Sequence, residues 1–186
     1  NDASNPQDFK DINGTLYFTA HNATSGRELW KSDGSNGGPV MVKEIINGGV
    51  GGFETSGQYG YYSHAFSVVW QTGSTFYFTA NNYASAPGGS YTNDIEFWKS
   101  DGTGGGTVLV KDINAGNNGS YPMDFRDINN TLYFTAHNTT SGRELWKSDG
   151  STGGTVMVVE IMSGSVGGFE VSSQYAYYAW PFSVAF

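Results

Sequence analysis

The sequence predicts an all-β protein made of antiparallel four-stranded repeats. Three observations carry that expectation: one phrase recurs three times, apolar and polar residues alternate in short runs, and Gly, Asn and Asp punctuate those runs. The phrase is Gly26-Arg27-Glu28-Leu29-Trp30-Lys31-Ser32-Asp33-Gly34. It returns as Asp94-Ile95-Glu96-Phe97-Trp98-Lys99-Ser100-Asp101-Gly102, and again from Gly142 to Gly150. Glu-Leu-Trp-Lys sends alternate side chains to opposite faces of a strand. Asp-Gly then reads as a tight turn, because Gly accepts positive φ. No stretch shows a helical period with caps.

The long period is 124 − 8 = 116 residues, since Asp8–Gly34 and Asp124–Gly150 differ only at Lys10/Arg126, Gly14/Asn130 and Ala23/Thr139. Within it lies a half-period, marked by Phe9, Phe66 and Phe125. The chain therefore divides into an inter-repeat joint (1–8), a form A sub-repeat (9–65), a form B sub-repeat (66–124), a second form A (125–181) and the first strand of a further unit (182–186).

Each sub-repeat reads as four strands. Phe9–Ile12 comes first, closed by Asn13-Gly14, a type I′ pair. In the second, Thr15–Ala20, residues Leu16, Phe18 and Ala20 share one face while Thr15, Tyr17 and Thr19 share the other. The Glu-Leu-Trp strand is third and Val40–Ile45 fourth. Form A carries extra length at 47–64 and form B at 81–93, and insertions on a repeat scaffold are common places for specific contacts.

Glu28-Leu29-Trp30-Lys31-Ser32-Asp33-Gly34-Ser35, and more closely Trp98-Lys99-Ser100-Asp101-Gly102-Thr103 with Gly106-Thr107, resemble the ELWxxDGT repeat of large secreted bacterial proteins. The resemblance spans nearly the whole chain. It implies extracellular, propeller-like β-repeats and brings no catalytic residue with it. Phe97 stands where the motif has Leu, and Ser35 and Ser151 stand where it ends in Thr.

A closed propeller needs about four to eight blades, and three blades plus a strand fall short. The blade-like array is then either incomplete, as a fragment of a longer one, or completed by a neighbouring subunit. The strand Phe182–Phe186 has to pair with the chain's own first sub-repeat, a neighbour, or a continuing chain.

Composition narrows the function classes. A net charge of −8 disfavours nucleic acid as a partner. No apolar run reaches membrane-spanning length. The absence of Cys rules out a disulfide scaffold, thiol chemistry and the usual structural zinc sites.

Candidate chemistry is sparse. Asp33-Gly34, Asp101-Gly102 and Asp149-Gly150 lack calcium-loop spacing and read as turns. His21 and His137 are one position written twice and read as structural; His64 has Trp180 as its counterpart and reads as packing. Arg27-Glu28 and Arg143-Glu144 read as cross-strand ion pairs. No nucleophile-base pair or metal constellation emerges, so neither enzyme activity nor a cofactor is expected.

The Tyr-rich form A insertions are the most suggestive feature. Tyr61, Tyr62, Tyr177, Tyr178 and Trp180 supply large contact area at low entropic cost, and with Phe182, Val184 and Phe186 they are the candidate self-association residues. Sequons at Asn13, Asn22, Asn118, Asn129 and Asn138 are candidate N-glycosylation sites. The expected function is an extracellular structural repeat protein that self-associates into a surface assembly or filament. The alternative is a carbohydrate-binding propeller module with glycans as its partners.

Overall fold

The computed structural model describes residues 4–47, 51–57, 60–63, 65–82, 94–116 and 118–164. Three antiparallel meanders account for most of them. The first sheet holds β1 (Gln7–Ile12), β2 (Thr15–Asn22), β3 (Gly26–Ser32) and β4 (Val40–Lys43), hydrogen-bonded in that order. A separate hairpin follows, β5 (Glu54–Gly57) with β6 (Gly60–Ser63), inside the form A insertion. The second sheet holds β7 (Trp70–Thr72), β8 (Thr75–Asn81), β9 (Ile95–Ser100) and β10 (Val108–Lys111). The third holds β11 (Met123–Ile128), β12 (Thr131–Asn138), β13 (Gly142–Ser148) and β14 (Val156–Val159). No helix occurs among the described residues, and the sheets do not close on themselves.

Local chemistry explains the turns. Asn13 (φ 53°) and Gly14 (φ 80°) are both left-handed, as a type I′ turn requires. At the equivalent turn Asn129 (φ 53°) and Asn130 (φ 60°) take the same values, and Asn is the side chain that best tolerates that region, so the Gly14/Asn130 exchange leaves the hairpin intact. The next turn is built by one side chain: Asn22 Oδ1 accepts from the backbone N–H of Thr24 (2.9 Å) and Ser25 (2.8 Å).

The Asp-Gly step is not a two-residue hairpin. It opens a longer loop, residues 33–39, 101–107 or 149–155, in which the Asp carboxylate accepts from the residue two on. The fourth strand also stops at Lys43, before Ile45, because Ile46 turns inward to donate its N–H to Glu28 Oε1 at 3.1 Å.

Alternation on β2 holds as the sequence predicts. Leu16, Phe18 and Ala20 line one face of the first sheet, and Tyr17 packs edge-on against Phe76 of the second sheet from the other. The apolar core lies between sheets. One cluster joins Ile12, Leu29 and Val42 of the first sheet to Phe76, Phe78 and Trp98 of the second. The other joins Tyr77, Phe97 and Val110 of the second to Leu132, Phe134 and Trp146 of the third.

Candidate functional site: two open sheet faces

Each four-stranded sheet has two unlike faces, and each seam joins one of each kind. In the first seam Tyr17 lays its ring on the second sheet so closely that a Cβ on Gly102 would strike its hydroxyl. Beside it, Lys31 Nζ donates to the Gly102 carbonyl at 2.7 Å. The second seam repeats both contacts. Tyr77 occupies the space over Gly150, and Lys99 Nζ donates to the Gly150 carbonyl at 3.0 Å. Gly102 (φ 85°) and Gly150 (φ 86°) are thus needed twice over, for a left-handed backbone and for the close approach of a ring.

Backbone bridges cross the same seams. Phe53 N–H donates to Arg27 O (3.1 Å) while Gly52 O accepts from Asn81 N–H (2.8 Å). In the next joint Tyr121 N–H donates to Ile95 O (3.0 Å) while Ser120 O accepts from His137 N–H (2.8 Å). His21 N–H makes the corresponding bond to Ser4 O at 2.8 Å, so the two repeated histidines sit where a strand receives its joint.

The buried charged residues hold these joints. Glu28 accepts from Ile46 and Gly52 N–H groups, and Glu96 accepts from Ile113, Asn114 and Ser120 N–H groups and from the Ser120 hydroxyl. Glu144 accepts from Ile161 and Met162 N–H groups. Burial pushes Glu28 up to about 8 and Glu96 up to about 7, outweighing the N–H donors that favour the charged form. Arg27 Nη1 donates to the carbonyls of Asn5 (3.0 Å) and Thr19 (3.4 Å), and Arg143 Nη1 to that of Tyr121 (3.0 Å).

The expected cross-strand ion pairs are therefore corrected. Opposite Arg27 lies His21 and opposite Glu28 lies Ala20, with the same pairing at Arg143 and Glu144. These side chains are buried and tie strands to joints. Sequence reasoning also missed Asp94, a buried carboxyl pushed up to about 6 by burial and then by the charge of Asp112. The available signal was position: three buried Glu stand two residues before Trp in a motif repeated with its loop.

Among the described residues the seam chemistry is used twice, and the outward faces of the first and third sheets are open. On the first sheet, the face equivalent to the covered faces of the second and third is open: Phe9 is 55% exposed where Phe66 is 1%, and Leu16, Phe18 and Trp30 line a groove of about 420 Å³. Apart from its own chain neighbours, nothing lies within 4 Å of where a Cβ on Gly34 would stand, although Gly34 is the counterpart of Gly102 and Gly150. On the third sheet the opposite face is open. Val158 is 42% exposed where Val42 is 7% and Val110 is 2%, Ile128 and Ile161 are exposed, and Lys147 projects into solvent.

The other candidate residues distribute as follows. Tyr61 and Tyr62 lie on β6, in register with Ser56 and Thr55. Tyr177, Tyr178, Trp180, Phe182, Val184, Phe186 and His64 lie outside the described residues. Asn13, Asn118 and Asn129 are exposed, and Asn22 and Asn138 are half-buried at turns. Asn13 is engaged with the second sheet, its Nδ2 donating to Gly73 O and its Oδ1 accepting from Gln71, both at 3.3 Å. The Asn118 sequon ends in Ser120, whose buried hydroxyl donates to Glu96 at 2.6 Å. The Asp-Gly carboxylates are occupied by loop N–H and hydroxyl donors, which hold Asp33, Asp101 and Asp149 below the usual range.

No protein-family model, curated protein or solved structure matches the chain. No helix among the described residues is long and apolar enough to cross a membrane.

Proposed function

We propose that the chain is an extracellular structural repeat protein that self-associates into a surface assembly or filament. The observation that supports this most is the seam repeated between the described sheets, with the outward faces of the first and third sheets exposed. Equal units present equal surfaces, and a heterologous contact that does not close propagates. In this reading the strand Phe182–Phe186 joins a neighbour's first sheet at the edge strand β1, and the Tyr-rich insertions fill the junction. The likeness to secreted ELWxxDGT repeats supports an extracellular location, and the sequons at Asn22, Asn129 and Asn138 suit glycosylation there.

Sedimentation velocity and electron microscopy of the native protein test this directly. Concentration-dependent growth into fibres is expected, with native masses above 20.0 kDa if the sequons are used. Deleting residues 182–186 is expected to abolish growth while leaving far-UV circular dichroism unchanged. Normal polymerisation of the truncated chain would rule out the strand-joining step. A carbohydrate-binding module calls instead for an aromatic and polar pocket in every sub-repeat. Phe66, Phe78 and Trp98, like Phe134 and Trp146, are buried inside seams, which favours the structural reading.

A further inference from the structure

We infer that a second copy of this chain covers the third sheet, laying the open face of its own first sheet against it in the register of the two internal seams. The inference rests on the self-association reading and specifies which surfaces meet. Four correspondences support the pairing, each at the offset of 116 residues. Tyr133 is the counterpart of Tyr17, and Lys147 of Lys31. Val158 answers to Val42 and Ile128 to Ile12. In both internal seams the Tyr hydroxyl and the Lys ammonium reach the Gly of the following sheet's Asp-Gly loop. The matching receptor with nothing over it is Gly34. A neighbour stacked in register places its Gly34 carbonyl at Lys147 Nζ and its Gly34 Cα beneath Tyr133.

Charge agrees with this geometry. Lys31 interacts favourably with Asp101 and Lys99 with Asp149, the Asp of the loop each contacts. Lys147 faces solvent, and the neighbour's Asp33 is the counterpart carboxylate. Apolar burial agrees as well: Phe9, Leu16 and Val158 are exposed on these two faces, whereas Phe66, Phe76, Leu132, Val42 and Val110 are buried in the seams and Phe125 is partly buried.

The intermolecular seam is looser than the internal ones, for a reason the sequence makes plain. Each internal core holds one Leu and one Phe at a matched pair of positions: Leu29 with Phe76 in the first, Phe97 with Leu132 in the second. Copy against copy brings Leu145 to Leu16, two leucines, and one ring is missing. Leu16→Phe restores the Leu-Phe pairing and is expected to tighten association by about tenfold.

The test is heterotypic mixing, read by sedimentation velocity with far-UV circular dichroism as the folding check. Leu16→Glu spoils only the first-sheet face and Val158→Glu only the third-sheet face. Each variant alone is expected to stay monomeric, while an equimolar mixture gives a 1:1 dimer through the two intact faces. Lys147→Met alters an exposed side chain that no described bond requires, so it carries the test should a glutamate variant unfold. It is expected to weaken association and flatten its salt dependence. If wild type polymerises and all three variants do so equally, this face pairing is wrong and self-association stands. A wild-type chain that remains monomeric at every concentration overturns both.

Discussion

At the scale of the residue, the motif Glu governs how stability responds to pH. Glu28 has its Oε1 on the Ile46 and Gly52 N–H groups and its Oε2 buried without a hydrogen-bond partner. Its folded value, about 8, stands above the ordinary 4.5, as does that of Glu96, at about 7. A raised folded value means stability that is complete below about 4.5 and lost as pH climbs through 7 and 8. Asp33, Asp101 and Asp149 act oppositely, since their lowered values withdraw stability only as pH falls below 3.8. The melting temperature is therefore expected to peak in weak acid and to decline from pH 5 to pH 9. Glu28→Gln, which keeps an acceptor oxygen and cannot ionise, is expected to flatten that decline. Glu28→Ala instead strands two N–H groups and is expected to cost about 1–3 kcal/mol for each at every pH. A Glu28→Gln protein whose melting curve tracks wild type across this range would contradict the assignment.

At the scale of the element, the three Asp-Gly loops show what a proline at the closing position does to a shared design. In the second and third sheets a Thr closes the loop. Thr107 Oγ1 lies 2.7 Å from Ser100 Oγ and 2.7 Å from Thr103 O, its N–H donates to Thr103 O, and Thr155 repeats the hydroxyl contacts with Ser148 and Ser151. In the first sheet Pro39 holds that position, with neither hydroxyl nor N–H to offer. Its loop closes differently, Gly38 N–H donating to Ser35 O at 3.2 Å with Gly38 at φ 76°. Pro39→Thr is expected to convert the loop to the closed form and stabilise the first sheet by about 1 kcal/mol. The gain is partly offset by a more flexible unfolded chain. A higher urea midpoint, with amide protection appearing at residue 39, is the outcome that checks it.

The elements also show what the sequence made legible. Period-2 alternation placed Leu16, Phe18 and Ala20 opposite Tyr17, because a strand cannot put neighbours on one face. The Asn13-Gly14 turn was readable because few residues tolerate two left-handed positions in succession. The Asp-Gly loop was misread as a short hairpin, since the same dipeptide opens longer loops when a Ser or Thr two residues on donates to the Asp. Arg27 and Glu28 were misread as members of cross-strand ion pairs because local pattern carries no information about which backbone groups a distant joint leaves unsatisfied.

At the scale of the molecule, neither open face could be read from the sequence. Exposure of Phe9 or Val158 is a property of which sheet stands beside which, whereas the residues themselves are repeated almost unchanged. What repetition does predict is that energy is organised by neighbours: each sheet is stabilised by its own ladder and by the seams on either side. The Lys–Gly bonds are the points to test this, being single contacts that cross a seam. Lys99→Met removes the charge-assisted bond to Gly150 O and is expected to cost about 1.5–3 kcal/mol at the second seam alone. Native-state hydrogen exchange should then show β11–β14 opening at least tenfold more often, while β1–β4 keep wild-type protection. Lys31→Met is the mirror experiment, expected to loosen β1–β4 and spare β11–β14. A uniform loss of protection across all three sheets in either variant would instead make the chain one cooperative unit. Local loss fits a stack of separable seams, the kind of architecture in which a further seam can form between two copies.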